Sequence, residues 1–182
     1  MNTQIEIKEN GTTTLATAGK YCDRNIDVNT DVPTYEGELE EQKAISDSIL
    51  NRTITEFTSN TLTRIDAYGF AYCVLLHTVN CPKVSALAAG CFMNCSALQR
   101  IDFFPVDDIY GNVFSNCSKL DTLIIRYNGI CRLRATSAFN NTPIKGGTGY
   151  IYVPDDLVET YKTTTNWTTY ANQIKPISEL EE

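Results

Sequence analysis

The chain has 182 residues, a formal net charge of −7 and an ordinary balance of 42% hydrophobic to 20% charged residues, which excludes a disordered chain. Its length suits one domain, or one domain with a small appendage. The acidic character argues against nucleic acid as a partner, because nucleic-acid binding requires a basic patch. The sequence contains no apolar run near the roughly 18 residues of a membrane-spanning helix, so we expect no membrane insertion.

Residues 1–35 are rich in threonine, glycine and asparagine, and we interpret them as a small β-strand module. Short alternating runs at 4–7 and 26–28 predict two strands joined by a glycine-containing turn. The segment resembles a small strand module found near tail and baseplate proteins of phages and prophages of Firmicutes and their relatives. That resemblance favours a virion-associated protein.

Residues 36–51 are rich in helix formers and predict a linking helix between the strand module and the rest of the chain. The helix would also cover the first turn of the segment that begins at residue 52. Its expected buried stripe consists of Leu39, Ile45, Ile49 and Leu50.

A repeat of 22 residues occupies residues 52–153. Phe70, Phe92 and Phe114 lie 22 residues apart, and each is followed by a cysteine three residues later and a leucine six residues later. A fourth copy at Phe139 carries a three-residue insertion, and an incomplete first copy begins near Ile54. A fixed period of this kind indicates units that bury their apolar residues only against the next turn.

Each copy predicts one short strand, stacked in parallel with its neighbours, and the strands are expected near 78–81, 100–103, 122–125 and 150–153. The phenylalanines and the cysteines should form buried columns, the thiols staying reduced, while Asn94 and Asn116 should hydrogen-bond the turning backbone. The side chains expected to point inward are Val79, Cys81, Ile101, Phe103, Leu123 and Ile125.

The pattern I-x-x-x-x-F-x-x-C-x-x-L-x-x-I resembles the BspA-like leucine-rich repeats of bacterial and phage proteins. The resemblance implies an α+β solenoid, a right-handed leucine-rich repeat with a parallel strand ladder. Residues 154–182 resemble the tail with which many such chains end, and we interpret them as a C-terminal helical cap. Large side chains would cover the open end of the solenoid, namely Leu157, Tyr161, Trp167, Tyr170 and Ile174.

The titratable residues do not form a recognisable catalytic constellation. The single histidine, His77, has no nucleophile motif beside it, and adjacent Asp107 and Asp108 should point apart. Asp155 and Asp156 stand at an expected helix start, where carboxylates offset unpaired amides. None of the seven cysteines stands in a C-x-x-C pair, so we expect no metal, no cofactor and no catalytic residue.

The outward side chains of the strands are the expected binding surface, because solenoids present this face to their partners. Four of them are large and apolar, which marks an interaction site unless they pack against the N-terminal module or a neighbouring copy. The candidate binding residues are Thr78, Asn80, Arg100, Asp102, Phe104, Thr122, Ile124, Arg126, Tyr150 and Tyr152.

The leading hypothesis is a phage or prophage virion-associated protein, a tail or baseplate accessory, that binds protein or carbohydrate on a host surface. The alternative is a bacterial cell-surface adhesin of the BspA kind, and an enzyme is the least favoured class. The N-terminus lacks the basic and apolar regions of a secretion signal, so we expect a location in the virion or the bacterial cytoplasm. A cell-surface location would require export. The sequence does not determine whether the chain associates into homo-oligomers.

Overall fold

The computed structural model describes residues 3–9, 12–18, 54–103 and 105–180, the first two ranges by their backbone alone. The predicted strand at 26–28, the predicted linking helix 36–51 and Phe104 lie outside these residues. The domain boundaries proposed from the sequence therefore stay predictions.

Twelve strands and six short helices make up the described chain. The strands are β1 Thr3–Glu9, β2 Thr12–Ala18, β3 Glu56–Ser59, β4 Arg64–Ile65, β5 Thr78–Asn80, β6 Ala86–Leu87, β7 Arg100–Phe103, β8 Asp108–Ile109, β9 Thr122–Ile125, β10 Arg132–Leu133, β11 Tyr150–Val153 and β12 Ile174–Pro176. The α-helices are Pro143–Gly146 and Val158–Thr163, and the 3-10 helices are Thr136–Phe139, Asp155–Leu157, Trp167–Gln173 and Ile177–Glu179.

The first ladder contains one parallel strand from each turn, as the repeat predicts. β3 pairs with β5, and β7, β9, β11 and β12 pair in that order. The expectation of one unbroken ladder was wrong, because within the described chain β5 and β7 belong to separate sheets. β12 is a strand where the sequence predicted only helical structure, since three residues are too few to show an alternating pattern.

A second parallel ladder, β4–β6–β8–β10, was not predicted. Each of its strands has only two residues and pairs in register with the same position one turn away, as in Ile65 with Leu87 and Leu87 with Ile109. The sequence alignment of the copies includes these apolar positions, but a two-residue strand leaves no periodic signal of its own. Each turn therefore contributes to two sheets.

The N-terminal strands extend the first ladder beyond its first turn. β1 runs antiparallel to both β2 and β3, with Ile7 opposite Phe57 in the second pairing. The strand expected at 4–7 is thus present and longer, whereas β2 follows it after two residues, where the sequence interpretation placed no strand.

The phenylalanine column is confirmed and forms the centre of the core. Phe70, Phe92, Phe114 and Phe139 are all buried. Ring centroids lie 5.5 Å apart between Phe70 and Phe92, 5.8 Å between Phe92 and Phe114, and 5.6 Å between Phe114 and Phe139. The six predicted inward side chains of the strands are buried as well.

The cysteine column links successive turns. The Cys95 Sγ donates to the carbonyl oxygen of Phe70 and the Cys117 Sγ to that of Phe92, each at 3.0 Å. The described cysteines are buried, and no two of them form a disulfide, as expected for Cys73, Cys95 and Cys117. Their thiols thus act as small apolar groups with a weak donor.

The C-terminal residues pack on the last turn through aromatic side chains. Trp167 and Tyr170 are buried, and their rings lie 6.3 Å and 5.1 Å from that of Phe139. The Trp167 Nε1 donates to the carbonyl oxygen of Cys131 at 2.7 Å. Tyr161 and Ile174 are buried as expected, while Leu157 is half-buried.

Asp155 does not cap the helix that it begins, contrary to the sequence interpretation. Its Oδ1 accepts from the backbone N–H of Ser178 at 3.1 Å, at the start of the 3-10 helix Ile177–Glu179. The Ser178 side chain lowers the pKa of Asp155 most, and this backbone hydrogen bond lowers it further. The carboxylate therefore joins two C-terminal segments rather than stabilising its own helix.

Asparagines form a third column, along a turn where the backbone is left-handed. Asn94, Asn116 and Asn141 have φ angles of 64°, 63° and 56°. The Asn116 Nδ2 donates to Asn94 Oδ1 at 3.0 Å, and the Asn141 Nδ2 donates to Asn116 Oδ1 at 2.7 Å. These hydrogen bonds thus run between side chains, whereas the sequence predicted bonds to the turning backbone.

Replacing Asn116 by alanine should lower the free energy of unfolding by about 2–3 kcal/mol, because the change removes two hydrogen bonds and places alanine at a left-handed angle. Asn116→Gly should cost about 1 kcal/mol, since glycine tolerates that angle and only the hydrogen bonds are lost. Urea denaturation measures both. Equal losses in the two variants would show that the backbone angle contributes nothing.

Candidate interaction surface

The outward side chains of the strands in the first ladder form the candidate binding surface, which we call the strand face. Its exposed members are Thr78, Asn80, Arg100 and Asp102, together with Tyr150 toward the C-terminal end of the surface. The half-buried members are Thr122, Arg126 and Tyr152.

Ile124 is buried, so its prediction as an exposed binding residue was wrong. The strand register places Asp102 on one side of it and Tyr152 on the other. The Arg126 side chain also reaches Asp102, the residue opposite Ile124 on the neighbouring strand. Side chains opposite and diagonal on neighbouring strands cover one another, which alternation along a single strand does not reveal.

Arg126 and Asp102 form a two-pronged ion pair at the centre of the strand face. The Nε atom of Arg126 lies 2.9 Å from Oδ1, and a terminal nitrogen lies 2.8 Å from Oδ2. The two side chains are 39% and 36% exposed, so the pair contributes only about 0–1 kcal/mol to stability. Its larger effect is to hold both polar groups in a fixed position for a partner.

Two tyrosines and a lysine form the C-terminal end of the strand face. The rings of Tyr150 and Tyr152 meet edge-on at 6.4 Å between centroids, and the Lys175 Nζ lies 4.4 Å from the centre of the Tyr150 ring. The Lys175 Nζ also lies 3.5 Å from a carboxylate oxygen of Glu179. Lys175 was missed in the sequence, because only the pairing of β12 with β11 places it beside Tyr152.

A second charged cluster lies on the other ladder. Asp108 is buried and accepts from Arg132 at 3.1 Å and from Arg134 at 2.6 Å. This contact raises the pKa of Arg134, whose guanidinium lies 5.4 Å from the ring of Tyr110. Asp108 is therefore a structural group, with its charge compensated by two arginines.

The Nδ1 atom of exposed His77 lies 3.0 Å from the Thr78 Oγ1. Within the ranges described above, no three His, Cys, Asp or Glu side chains come close enough to hold a metal ion. The same residues include no helix that is long and apolar enough to cross a membrane.

The comparisons identify the repeat. The family described as BspA type leucine rich repeat region matches residues 43–162, about two thirds of the chain, with six copies where the sequence interpretation counted about four. The comparison with curated proteins gave no match. Leucine-rich repeat domains are typically interaction modules, because stacked repeats present an extended binding surface. The chain belongs to the family of proteins with a BspA-type leucine-rich repeat region.

Proposed function

We propose that this protein is a non-enzymatic interaction module whose strand face binds protein or carbohydrate on a host surface. The observation that carries the proposal is the exposed group formed by Tyr150, Tyr152 and Lys175, beside the fixed ion pair of Arg126 and Asp102. Tyrosine provides a large contact area for little loss of side-chain entropy and is common where binding energy is concentrated. The group therefore combines aromatic faces with oriented polar atoms.

The proposed architecture is a right-handed solenoid closed at its C-terminal end by a helical cap. Supporting the cap, Trp167 and Tyr170 cover Phe139, the last ring of the phenylalanine column. An uncovered last turn would expose apolar side chains and unpaired backbone groups. Closure at this end leaves the strand face as one accessible surface of the repeats.

The proposed location is the virion, with the protein as a tail or baseplate accessory of a phage or prophage. Support comes from the resemblance of residues 1–35 to strand modules near phage tail proteins, and from the pairing of β1 with β3, which joins that segment to the repeats. A cell-surface adhesin is the alternative. Mass spectrometry distinguishes the two, because a virion protein should be found in purified virions and an adhesin in cell-wall fractions.

Replacing Tyr150 or Tyr152 by alanine should weaken binding at least tenfold, since truncation of a central interface tyrosine commonly costs about 1–2 kcal/mol. A glycan array and titration against intact host cells would identify the ligand, and biolayer interferometry would compare the variants. Tyr110→Ala is the matched control, because Tyr110 is an exposed tyrosine that directly follows β8 of the other ladder. Unchanged affinity in both strand-face variants would contradict the proposal, as would an equal loss in the Tyr110 variant.

A further inference from the structure

A seam interrupts the first ladder between β5 and β7. In the parts of the chain that the structure describes, β3 pairs with β5 on one side of the seam and β7 pairs with β9 on the other, but no strand pairing joins β5 to β7. The repeat favours pairing at this place, because β5 and β7 occupy equivalent positions 22 residues apart. The two neighbouring turns are therefore not joined along the strand face.

The seam leaves backbone groups of both strands without a backbone partner. At the next joint, the N–H group of Thr122 in β9 donates to the carbonyl oxygen of Gln99. Alternate residues of a parallel strand direct their backbone groups to opposite neighbours, so Arg100 and Asp102 direct their N–H groups toward β5. Among the described residues, neither N–H group donates to a backbone carbonyl, and the carbonyl oxygen of Val79 accepts no backbone hydrogen bond.

The side chains that flank the seam do not hold it closed. All four are polar and exposed, and within the described chain no hydrogen bond or ion pair crosses from those of β5 to those of β7. They are Thr78 and Asn80 on β5, and Arg100 and Asp102 on β7. The joint between β7 and β9, by contrast, contains buried Ile124 and the ion pair of Arg126 with Asp102.

The core is slightly more open beneath the seam than beneath the paired strands. Val79 is 9% exposed, whereas the equivalent inward residues Phe57, Ile101 and Leu123 are 2%, 1% and 0% exposed. Because the flanking side chains are polar and exposed, water can reach the seam and bind the backbone groups that have no partner in the chain.

The same two turns are held together on their other sides. β6 pairs with β8 in the second ladder, with Leu87 opposite Ile109. The rings of Phe92 and Phe114 are stacked with their centroids 5.8 Å apart, and the Cys117 Sγ donates to the carbonyl oxygen of Phe92 at 3.0 Å. The two turns therefore stay in contact through the core and the second ladder, whatever the width of the seam.

We propose that the seam between β5 and β7 is a hinge, at which the strand face opens and closes while the second ladder keeps the two turns in contact. In the closed form, the N–H groups of Arg100 and Asp102 donate to the carbonyl oxygens of His77 and Val79. In the open form water takes the place of these partners, so one set of hydrogen bonds replaces another. The motion changes the angle between β5 and the strands β7, β9 and β11, and with it the shape of the strand face.

Amide hydrogen exchange of the full chain, measured residue by residue by NMR, is the first test. The N–H groups of Arg100 and Asp102 should exchange about tenfold or more faster than those of Thr122 and Ile124, which occupy the equivalent positions in the paired strand β9. Equal protection of the two pairs of amides would overturn the proposal, because it would show that the seam is closed in solution.

A disulfide across the seam distinguishes a hinge from a fixed gap. The double variant Thr78→Cys, Arg100→Cys places cysteines at equivalent positions of β5 and β7, in a Cys22→Ala background that prevents pairing with that cysteine. Oxidation should close the seam and slow the exchange of the Asp102 N–H group about tenfold or more, because this group then donates to β5. The reduced form of the same variant should exchange as the wild type does.

The matched control is the double variant Arg100→Cys, Thr122→Cys, which bridges the paired strands β7 and β9. Its oxidation should leave the exchange of the Asp102 N–H group unchanged. A disulfide that forms across the seam without slowing this exchange would contradict a hinge. A disulfide that forms in the control but not across the seam would likewise show a fixed gap, and the proposal would be wrong.

Discussion

Replacement of Phe92 by alanine is expected to lower the free energy of unfolding by about 3–5 kcal/mol. Phe92 is fully buried, and its ring lies nearly parallel to those of Phe70 and Phe114, with interplanar angles of 9° and 2°. Truncation would remove the central ring of the column and leave a cavity between two turns. The surrounding side chains belong to the same stacked core, so the site can collapse only partly.

Urea denaturation followed by circular dichroism measures this loss. Phe92→Leu should cost roughly 1–2 kcal/mol, because leucine refills much of the cavity. Tyr110→Ala should change the free energy of unfolding by no more than about 1 kcal/mol, since the ring is exposed on the surface. A loss below about 1 kcal/mol for Phe92→Ala would contradict a packed phenylalanine column.

The second large effect concerns the buried thiols, which should react slowly and make the fold sensitive to alkali. Burial raises the pKa of Cys117 from 9.0 to about 12, and it raises the pKa of Cys95 further. At pH 8 the thiolate of Cys117 should therefore be roughly 1000-fold less populated than that of an ordinary cysteine. Labelling with iodoacetamide, read by mass spectrometry, should be correspondingly slow in the native state and rapid in denaturant.

No disulfide joins Cys73, Cys95 and Cys117 in the structure, so bridges among them in the native protein would contradict this interpretation. They would also favour the exported adhesin, because disulfides persist in oxidising compartments. Cys22 lies outside the described residues, and its faster labelling stays a prediction from the polar sequence around it.

The same shift determines how stability depends on pH. A thiol whose pKa is higher in the folded than in the unfolded state contributes stability that is complete below pH 9 and is lost as the pH rises toward 12. For Cys117 alone the loss is about 4 kcal/mol across that window. Buried Tyr170, with a pKa raised to about 12, acts in the same direction.

Alkaline denaturation of Cys117→Ala isolates the contribution of the Cys117 thiol. The variant should show a shallower decline of stability between pH 9 and pH 12, because the alanine cannot ionise, whatever its stability at neutral pH. A wild-type slope in the variant would assign the alkaline sensitivity to other buried groups, namely the remaining thiols, such as Cys95, and the tyrosines. The Cys22→Ala variant should behave as the wild type and provides the control.

The periodic sequence was sufficient to predict four strands of the first ladder, the phenylalanine column and the inward side chains. Residues that recur every 22 positions must occupy equivalent places when each unit buries its apolar groups against the next, so the identity of Phe92 or Ile101 already specifies its environment. The same regularity predicted that Tyr150 and Tyr152 belong to the strand face.

Other features were decided by the tertiary structure, because they depend on neighbours a whole turn or more away. The two-residue strands of the second ladder exist only as partners of equivalent strands, and Lys175 joins the strand face only because β12 pairs with β11. Ile124 has an outward position in its own strand, yet it is buried between side chains of the adjacent strands. The position of a residue within the repeat predicts the direction in which its side chain points. The exposed fraction of that side chain also depends on which side chains the adjacent turns provide.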